Sequence, residues 1–203
     1  MKIVVVDYGM GNVESVISAI HYLGYDDVVL SNELSVLESA DKLLLPGVGN
    51  YAMAVSKIDD YGLFSILRKL VLDDKKPILG ICLGMQLMGM FSTEDGYNKG
   101  LELIDGKVEG FCRSDIKVPH VGYNQVIPAK NSRLYSGIDT ELDYYFTHSF
   151  RMLSDANIGA SKCLYGEEFI ASFEKENIAG VQFHPELSQS NGLMLLKNFF
   201  EKF

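Results

Sequence analysis

The stretch Pro77-Ile78-Leu79-Gly80-Ile81-Cys82-Leu83-Gly84-Met85-Gln86 runs from an apolar segment opened by a proline straight into helix-forming residues, with a cysteine at the junction. An unbroken apolar run of this length reads as a strand buried on both faces, as in a parallel sheet. Residues 83–91 read as a short helix. A sharp strand-to-helix bend lifts a nucleophile above the sheet, and flanking glycines relieve the crowding there. The helix N-terminus favours a thiolate over a thiol. The backbone N–H of Leu83, directly after the cysteine, is the place for an oxyanion donor. The competing reading is an inert buried thiol at a crossover that the glycines merely pack.

Outward from this junction the same strand–helix rhythm repeats. Residues 2–6 form a continuous apolar run, and after the turn Asp7-Tyr8-Gly9-Met10-Gly11, Asn12 is placed to cap a helix. Val13, Val16, Ile17, Ile20 and Leu23 share one face of that helix, and Gly24 ends it. Val28–Leu30 and Lys42–Leu45 read as strands, the latter closed by Pro46-Gly47-Val48-Gly49. Residues 63–72 read as a helix with Leu63, Ile66, Leu67, Leu70 and Val71 buried. Strand-like segments then crowd the second half, near 107–111, 123–127, 144–148, 158–163, 169–173 and 178–183, and a helix over roughly 191–201 closes the chain. The pattern predicts an α/β fold with a mostly parallel, doubly wound central sheet, helices on both faces and a strand-rich second half. No repeat, low-complexity segment or linker divides residues 1–203, so one domain is expected.

Composition narrows the chemistry. The 203 residues carry a net charge of −9, with no clustered Lys/Arg stripe, which argues against nucleic acid as a partner. No apolar run reaches the roughly 18 residues that span a bilayer. The start Met1-Lys2-Ile3-Val4-Val5-Val6-Asp7 meets an acid too soon for a secretory signal, so the expected location is cytoplasmic, with no membrane partner. The cysteines, Cys82, Cys112 and Cys163, are an odd and scattered set that suits free thiols, not a disulfide framework or a zinc site. No metal and no cofactor is expected. Gly9-Met10-Gly11 begins a dinucleotide-type loop but has Glu14 where the third glycine belongs, and no P-loop element exists. Glu94-Asp95 and Asp73-Asp74 read as solvated loop charge.

A thiol nucleophile needs a base, and histidine supplies one at neutral pH. There are four: His21, His120, His148 and His184. His21 sits mid-helix. His120 and His148 read as structural, the latter at a strand end. His184 follows the strand Ile178–Phe183 and continues as His184-Pro185-Glu186. At the carboxyl end of its strand it can share a crevice with Cys82. Pro185 keeps His184 out of the α region, and in an extended segment Glu186 shares its side and can orient the imidazole.

Together, Gly80-x-Cys82-x-Gly84-x-Gln86 and Phe183-His184-Pro185-Glu186 resemble the triad-type, class I glutamine amidotransferases, whose fold is flavodoxin-like. Over essentially the whole chain the resemblance narrows to the glutaminase subunits of imidazole glycerol phosphate synthases. It is carried by Asp7-Tyr8-Gly9-Met10-Gly11-Asn12, Leu45-Pro46-Gly47-Val48-Gly49, Pro119-His120-Val121-Gly122-Tyr123-Asn124 and Tyr145-Phe146-Thr147-His148-Ser149-Phe150. The resemblance implies Cys82 as nucleophile, His184 as base and Glu186 as its orienter. It implies an oxyanion strand at Gly47, Val48 and Gly49, with the Val48–Gly49 peptide as second donor. Gln86 and the Thr147-His148-Ser149 backbone would hold the amino and carboxylate groups of glutamine. A (β/α)₈-barrel cyclase would take the ammonia, yielding imidazole glycerol phosphate and an aminoimidazole ribotide in histidine biosynthesis. Met10, Asn12, Tyr123 and residues after Glu186, beginning with Leu187, would face that heterodimeric partner.

Two positions depart from the family: Tyr123 stands where tryptophan is usual, and Leu187 where lysine is usual. They open a second reading, a paralogue feeding a related barrel in nucleotide-sugar or surface-polysaccharide amidation. An inactive scaffold subunit and a cysteine hydrolase on the same fold are further alternatives. Intact Cys82, His184 and Glu186 speak against the first, and Gln86 with the Pro-Gly-Val-Gly strand against the second.

Overall fold

Val4 and Val6 of the first strand join one hydrophobic cluster while Ile3 and Val5 join another, so the apolar run at the N-terminus is apolar because both of its faces are covered. The structure is a computed structural model and describes residues 1–138 and 142–203. In chain order the elements are β1 (Ile3–Val6), α1 (Val13–Tyr22), β2 (Val28–Ser31), α2 (Leu34–Glu38), β3 (Lys42–Gly47), α3 (Tyr51–Asp60), α4 (Leu63–Arg68), β4 (Ile78–Cys82) and α5 (Leu83–Leu87). They continue as β5 (Phe91–Ser92), β6 (Asn98–Lys99), β7 (Lys107–Gly110), β8 (His120–Ile127), β9 (Asp143–His148), β10 (Phe150–Leu153), β11 (Ser161–Tyr165), β12 (Glu167–Lys175), β13 (Ile178–Val181) and α6 (Gln189–Lys202).

The central sheet has nine strands in the order β2-β1-β3-β4-β13-β12-β11-β8-β9. Its first five strands pair in parallel, as the βα rhythm predicts. From β13 to β9 every pairing is antiparallel, which accommodates the strand-rich second half in the same sheet. One cluster contains Leu37 of α2, Tyr51, Ala54 and Ile58 of α3, and Leu63 and Leu67 of α4. The opposite cluster contains Val16 and Ile20 of α1 with Leu195, Leu196 and Phe199 of α6. Helices thus cover both faces, each burying the stripe its periodicity encodes. No helix among the described residues is long and apolar enough to cross a membrane.

Several local features differ from the sequence reading. The helix over 63–72 is regular only to Arg68. Its last turn, Lys69–Asp73, widens to i→i+5 bonding, with Asp74 N–H reaching the Lys69 carbonyl at 3.1 Å. The helix after Cys82 ends at Leu87, where Met88 and Gly89 N–H close tight turns on Met85 and Gln86. Helix α3 is weakly marked in the sequence because only Tyr51, Ala54 and Ile58 form its buried stripe; Asn50 caps it by accepting the Met53 N–H at 3.0 Å. A second sheet, β10-β7-β5-β6, includes two-residue strands too short to show alternation.

Candidate active site

Cys82 ends β4 with φ 53° and ψ −112°, a conformation L-residues rarely adopt. The bend exists because its neighbours have no side chains. A Cβ on Gly84 would lie 1.7 Å from the Leu45 carbonyl oxygen, and one on Gly80 would lie 2.7 Å from the Met85 backbone. The glycines flanking the cysteine therefore let β3, β4 and α5 close on one another. In the β3–β4 register Gly47 lies opposite Cys82, which sets Gly47-Val48-Gly49 beside the sulfur. Tyr8, fully buried at the end of β1, donates its hydroxyl to the Pro46 carbonyl at 2.7 Å and anchors that strand.

His184 arrives from the end of the adjacent strand. β13 runs parallel to β4 with Gly180 opposite Gly80 and Val181 opposite Ile81, so the residues after Val181 leave the sheet on the side where Cys82 bends. His184 is buried, and its Nδ1 is 2.8 Å from Glu186 Oε1. Burial alone lowers a histidine pKa. Interaction with nearby Cys82 and with Glu186 outweighs it, and the pKa of His184 is raised to about 10; its buried Nε2 makes no hydrogen bond among the described residues. One part of the sequence reasoning needs correction. Only His184 is extended (φ −99°, ψ 98°), whereas Pro185–Leu187 curls into a tight helical turn. The turn, not an extended two-residue repeat, folds Glu186 back onto the imidazole. Asn12 is a second correction. Its side chain makes no helix-capping bond; its amide N–H donates to Glu186 Oε1 at 3.4 Å, an orientation set by that contact and not by the helix end.

Beside the sulfur opens a cavity of about 240 Å³ lined by Val48, Gly49, Cys82, Leu83, Gln86, Glu94, Pro119, Thr147, His148, Ser149 and Phe150. Of the residues the sequence nominated for substrate contact, only Gly47 stands back from this lining. Glu94 is the third correction. It is not loose solvated charge: its carboxylate accepts the Tyr51 N–H at 3.0 Å, at the start of α3, and borders the cavity. Nothing in its local sequence signals this, because its partners lie on other elements. His148 and His120 face each other across the β8–β9 ladder, with Nε2 of the former 3.0 Å from Nδ1 of the latter. Burial pushes His120 down to about 4. Burial, offset by a hydrogen bond to the Phe150 carbonyl and assisted by nearby His120, His184 and Arg151, pushes His148 to about 3. Both are neutral at pH 7.

The elbow cysteine, the imidazole held by a carboxylate and the cavity at the sulfur lie in a chain whose residues 4–203 match the glutamine amidotransferase class-I family. The chain belongs to the class I glutamine amidotransferases. Imidazole glycerol phosphate synthase subunit HisH 2 of Vibrio vulnificus (strain YJ016) is 43% identical over 203 residues, which span 99% of this chain and 94% of that protein. The HisH subunit of the same synthase in Aquifex aeolicus (strain VF5) is 41% identical, over 100% of this chain and 97% of its own length. Among solved structures, PurLQS from Thermotoga maritima superposes with a TM-score of 0.72 at 18% identity, covering 98% of this chain and 97% of that one, a likeness of fold.

The residues nominated for a partner interface fall at different depths in this amidotransferase. Tyr123 and Leu187 are exposed and touch one another, the Tyr123 hydroxyl donating to the Leu187 carbonyl at 2.7 Å. Met10 is partly buried, and its Cε lies 3.2 Å from where a Gly49 side chain would begin. Asn12 is turned inward to Glu186. Among the described residues no cluster of three or more His, Cys, Asp or Glu is arranged to hold a metal.

Proposed function

We propose that this chain is the glutaminase subunit of an imidazole glycerol phosphate synthase, hydrolysing glutamine to glutamate and ammonia and passing the ammonia to a (β/α)₈-barrel cyclase in histidine biosynthesis. The observation that carries the chemistry is the buried His184, held at Nδ1 by Glu186 at 2.8 Å and close enough to interact with Cys82, which lines the neighbouring cavity. The full-length likeness to HisH subunits supports the pathway.

In this mechanism the Cys82 thiolate attacks the side-chain carbonyl carbon of glutamine. A C–S bond forms and the carbonyl π pair moves to oxygen, held by the Leu83 N–H and the Val48–Gly49 peptide. His184, as imidazolium, protonates the amide nitrogen; collapse of the oxyanion breaks C–N and releases ammonia. The neutral imidazole then takes a proton from water as it attacks the thioester, and collapse expels the thiolate with glutamate. Glu186 keeps the imidazole oriented and stabilises its cationic form. For the substrate's charged end, the Glu94 carboxylate and Gln86 Oε1 suit an ammonium, while the Thr147–Ser149 backbone N–H groups suit a carboxylate. Exposed apolar residues Val48, Val118, Val121, Tyr123 and Leu187 supply a docking surface for the barrel.

Glutamate release by the complex of this chain with its cognate barrel tests the proposal. Cys82→Ala should remove it while leaving the melting temperature and barrel binding unchanged, and turnover persisting in that variant would end the assignment. A second reading keeps the chemistry but changes the customer. The two positions that depart from the family, Tyr123 and Leu187, lie against each other on the exposed surface, so they alter one spot of the docking face together. Identifying the barrel that co-purifies separates the synthase of histidine biosynthesis from a paralogous amidation system.

A further inference from the structure

We infer that Gln182 is a positioning residue for glutamine hydrolysis: its carboxamide N–H points at the sulfur of Cys82 and holds the thiolate in place for attack. The inference rests on the reading of Cys82 as the nucleophile and adds to the triad a group outside it. Gln182 follows β13 and is 0% exposed, an expensive place for a primary amide unless both of its ends are bonded. Its Nε2 lies 3.7 Å from Cys82 Sγ, within reach of a sulfur acceptor, and its Oε1 lies 2.9 Å from Gln86 Nε2.

The direction of this amide is forced by a group that has no choice. The Phe150 carbonyl can only accept, and it sits 2.9 Å from the end of Gln86 and 2.8 Å from His148 Nδ1. Gln86 must therefore turn its NH₂ to Phe150. Its second hydrogen goes to Gln182, which must answer with oxygen, and this leaves the Gln182 NH₂ facing the sulfur. Flipping Gln182 would set two NH₂ groups against each other and aim a carbonyl at a thiolate. The same anchor fixes His148 as the Nδ1–H tautomer, so its Nε2 accepts from His120 Nδ1 at 3.0 Å. One backbone carbonyl on the cavity wall thus sets the polarity of four side chains and ends in a donor at the nucleophile.

A thiol sulfur is a weak acceptor and a thiolate a strong one, so a fixed donor favours the charged form. The other groups facing Cys82 are common to wild type and variant. They are His184 with Glu186 from the turn after β13, the Tyr8 hydroxyl at the end of β1, and the Thr147 carbonyl of β9 at 3.8 Å.

The test is the rate of iodoacetamide alkylation of Cys82 against pH, read by peptide mass spectrometry in the full-length chain. Gln182→Met, similar in length and without a donor, is expected to move the Cys82 profile up by about one pH unit, making labelling below the midpoint about tenfold slower. Labelling of Cys112 serves as the internal reference and should not change. An unshifted profile in folded Gln182→Met overturns the role. Wild-type Cys82 that labels no faster than Cys112 would instead count against the glutaminase reading itself. A second measurement needs no substitution of Gln182. In ¹⁵N-labelled wild type, the Gln182 side-chain amide signals should follow the Cys82 titration and become insensitive to it in Cys82→Ala; an amide that ignores the titration also overturns the inference.

Discussion

The two halves of the central sheet bring different things to one cavity. The parallel half, β2 through β4, contributes shape: an apolar ladder, a cysteine at φ 53° and glycines where backbones nearly touch. The antiparallel half, with the residues just beyond β13, contributes polarity: His184, Glu186, Gln182 and the His120–His148 pair, anchored by the Phe150 carbonyl of the second sheet. They meet at the β4–β13 pairing, where adjacent parallel strands end at Cys82 and continue toward His184. One half places an atom by excluding alternatives, and the other prepares that atom by orienting dipoles and charge. Steric changes in the first half should therefore cost fold and function together, whereas isosteric polar changes in the second should cost function far more than fold.

The largest effect belongs to Gly84. Its added Cβ would meet the Leu45 oxygen at 1.7 Å, and a backbone atom of β3 cannot yield without opening the sheet. Gly84→Ala is expected to cost more than about 4 kcal/mol in urea denaturation. A stable Gly84→Ala variant that retains glutaminase activity would break the claim that the elbow is held by close backbone approach. Next comes Glu186→Gln, which keeps the size of the side chain but removes its charge beside His184 Nδ1. Glutamate release by the complex should fall by roughly 10²–10⁴, chiefly in kcat, with the melting temperature little changed. If stability collapsed instead, the polar half would be structural and the contrast between the halves would fail.

The buried histidines sharpen the comparison through pH. Their folded pKa values, about 4 for His120 and about 3 for His148, lie below the ordinary 6.5. As pH falls below 6.5 the unfolded chain takes up protons that the folded chain refuses, so stability drops with falling pH. Each histidine contributes about 1.4 kcal/mol per pH unit until its folded pKa is reached. Urea denaturation between pH 6.5 and 5 should show this slope, and His120→Asn should remove about half of it. A flat wild-type profile would mean that the pair does not stay neutral inside the fold.

What was legible in the sequence follows the same division. The elbow could be read because strand, cysteine, glycines and helix are contiguous, and each local preference agrees with the final geometry. The His184–Glu186 contact could be read because the two lie two residues apart, although the physical reason is a turn. Glu94, Gln182 and the His120–His148 pair could not. Glu94 meets the Tyr51 N–H 43 residues away, Gln182 meets Gln86 96 residues away, and His120 meets His148 across 28 residues of chain. No period or spacing encodes such a meeting. Asn12 shows the same limit from the other side, since a correct local cap signal lost to a carboxylate 174 residues distant.

The smallest effect tests whether the shape-giving half also depends on polar contacts. Tyr8 is the exception within it: a fully buried phenol whose hydroxyl donates to the Pro46 carbonyl at 2.7 Å, while a Cβ on Gly47 would approach that hydroxyl to 2.4 Å. The hydroxyl both holds the end of β3 at Pro46 and fills the space above Gly47. Tyr8→Phe removes one buried hydrogen bond and leaves the ring packing, so about 1 kcal/mol of stability should be lost. Release of the strand should appear as a loss in kcat with KM preserved, because an oxyanion donor acts on the transition state and not on bound glutamine. An unchanged kcat would show that the β3–β4 ladder alone aligns Val48 and Gly49, and would make the division between a steric half and a polar half stricter still.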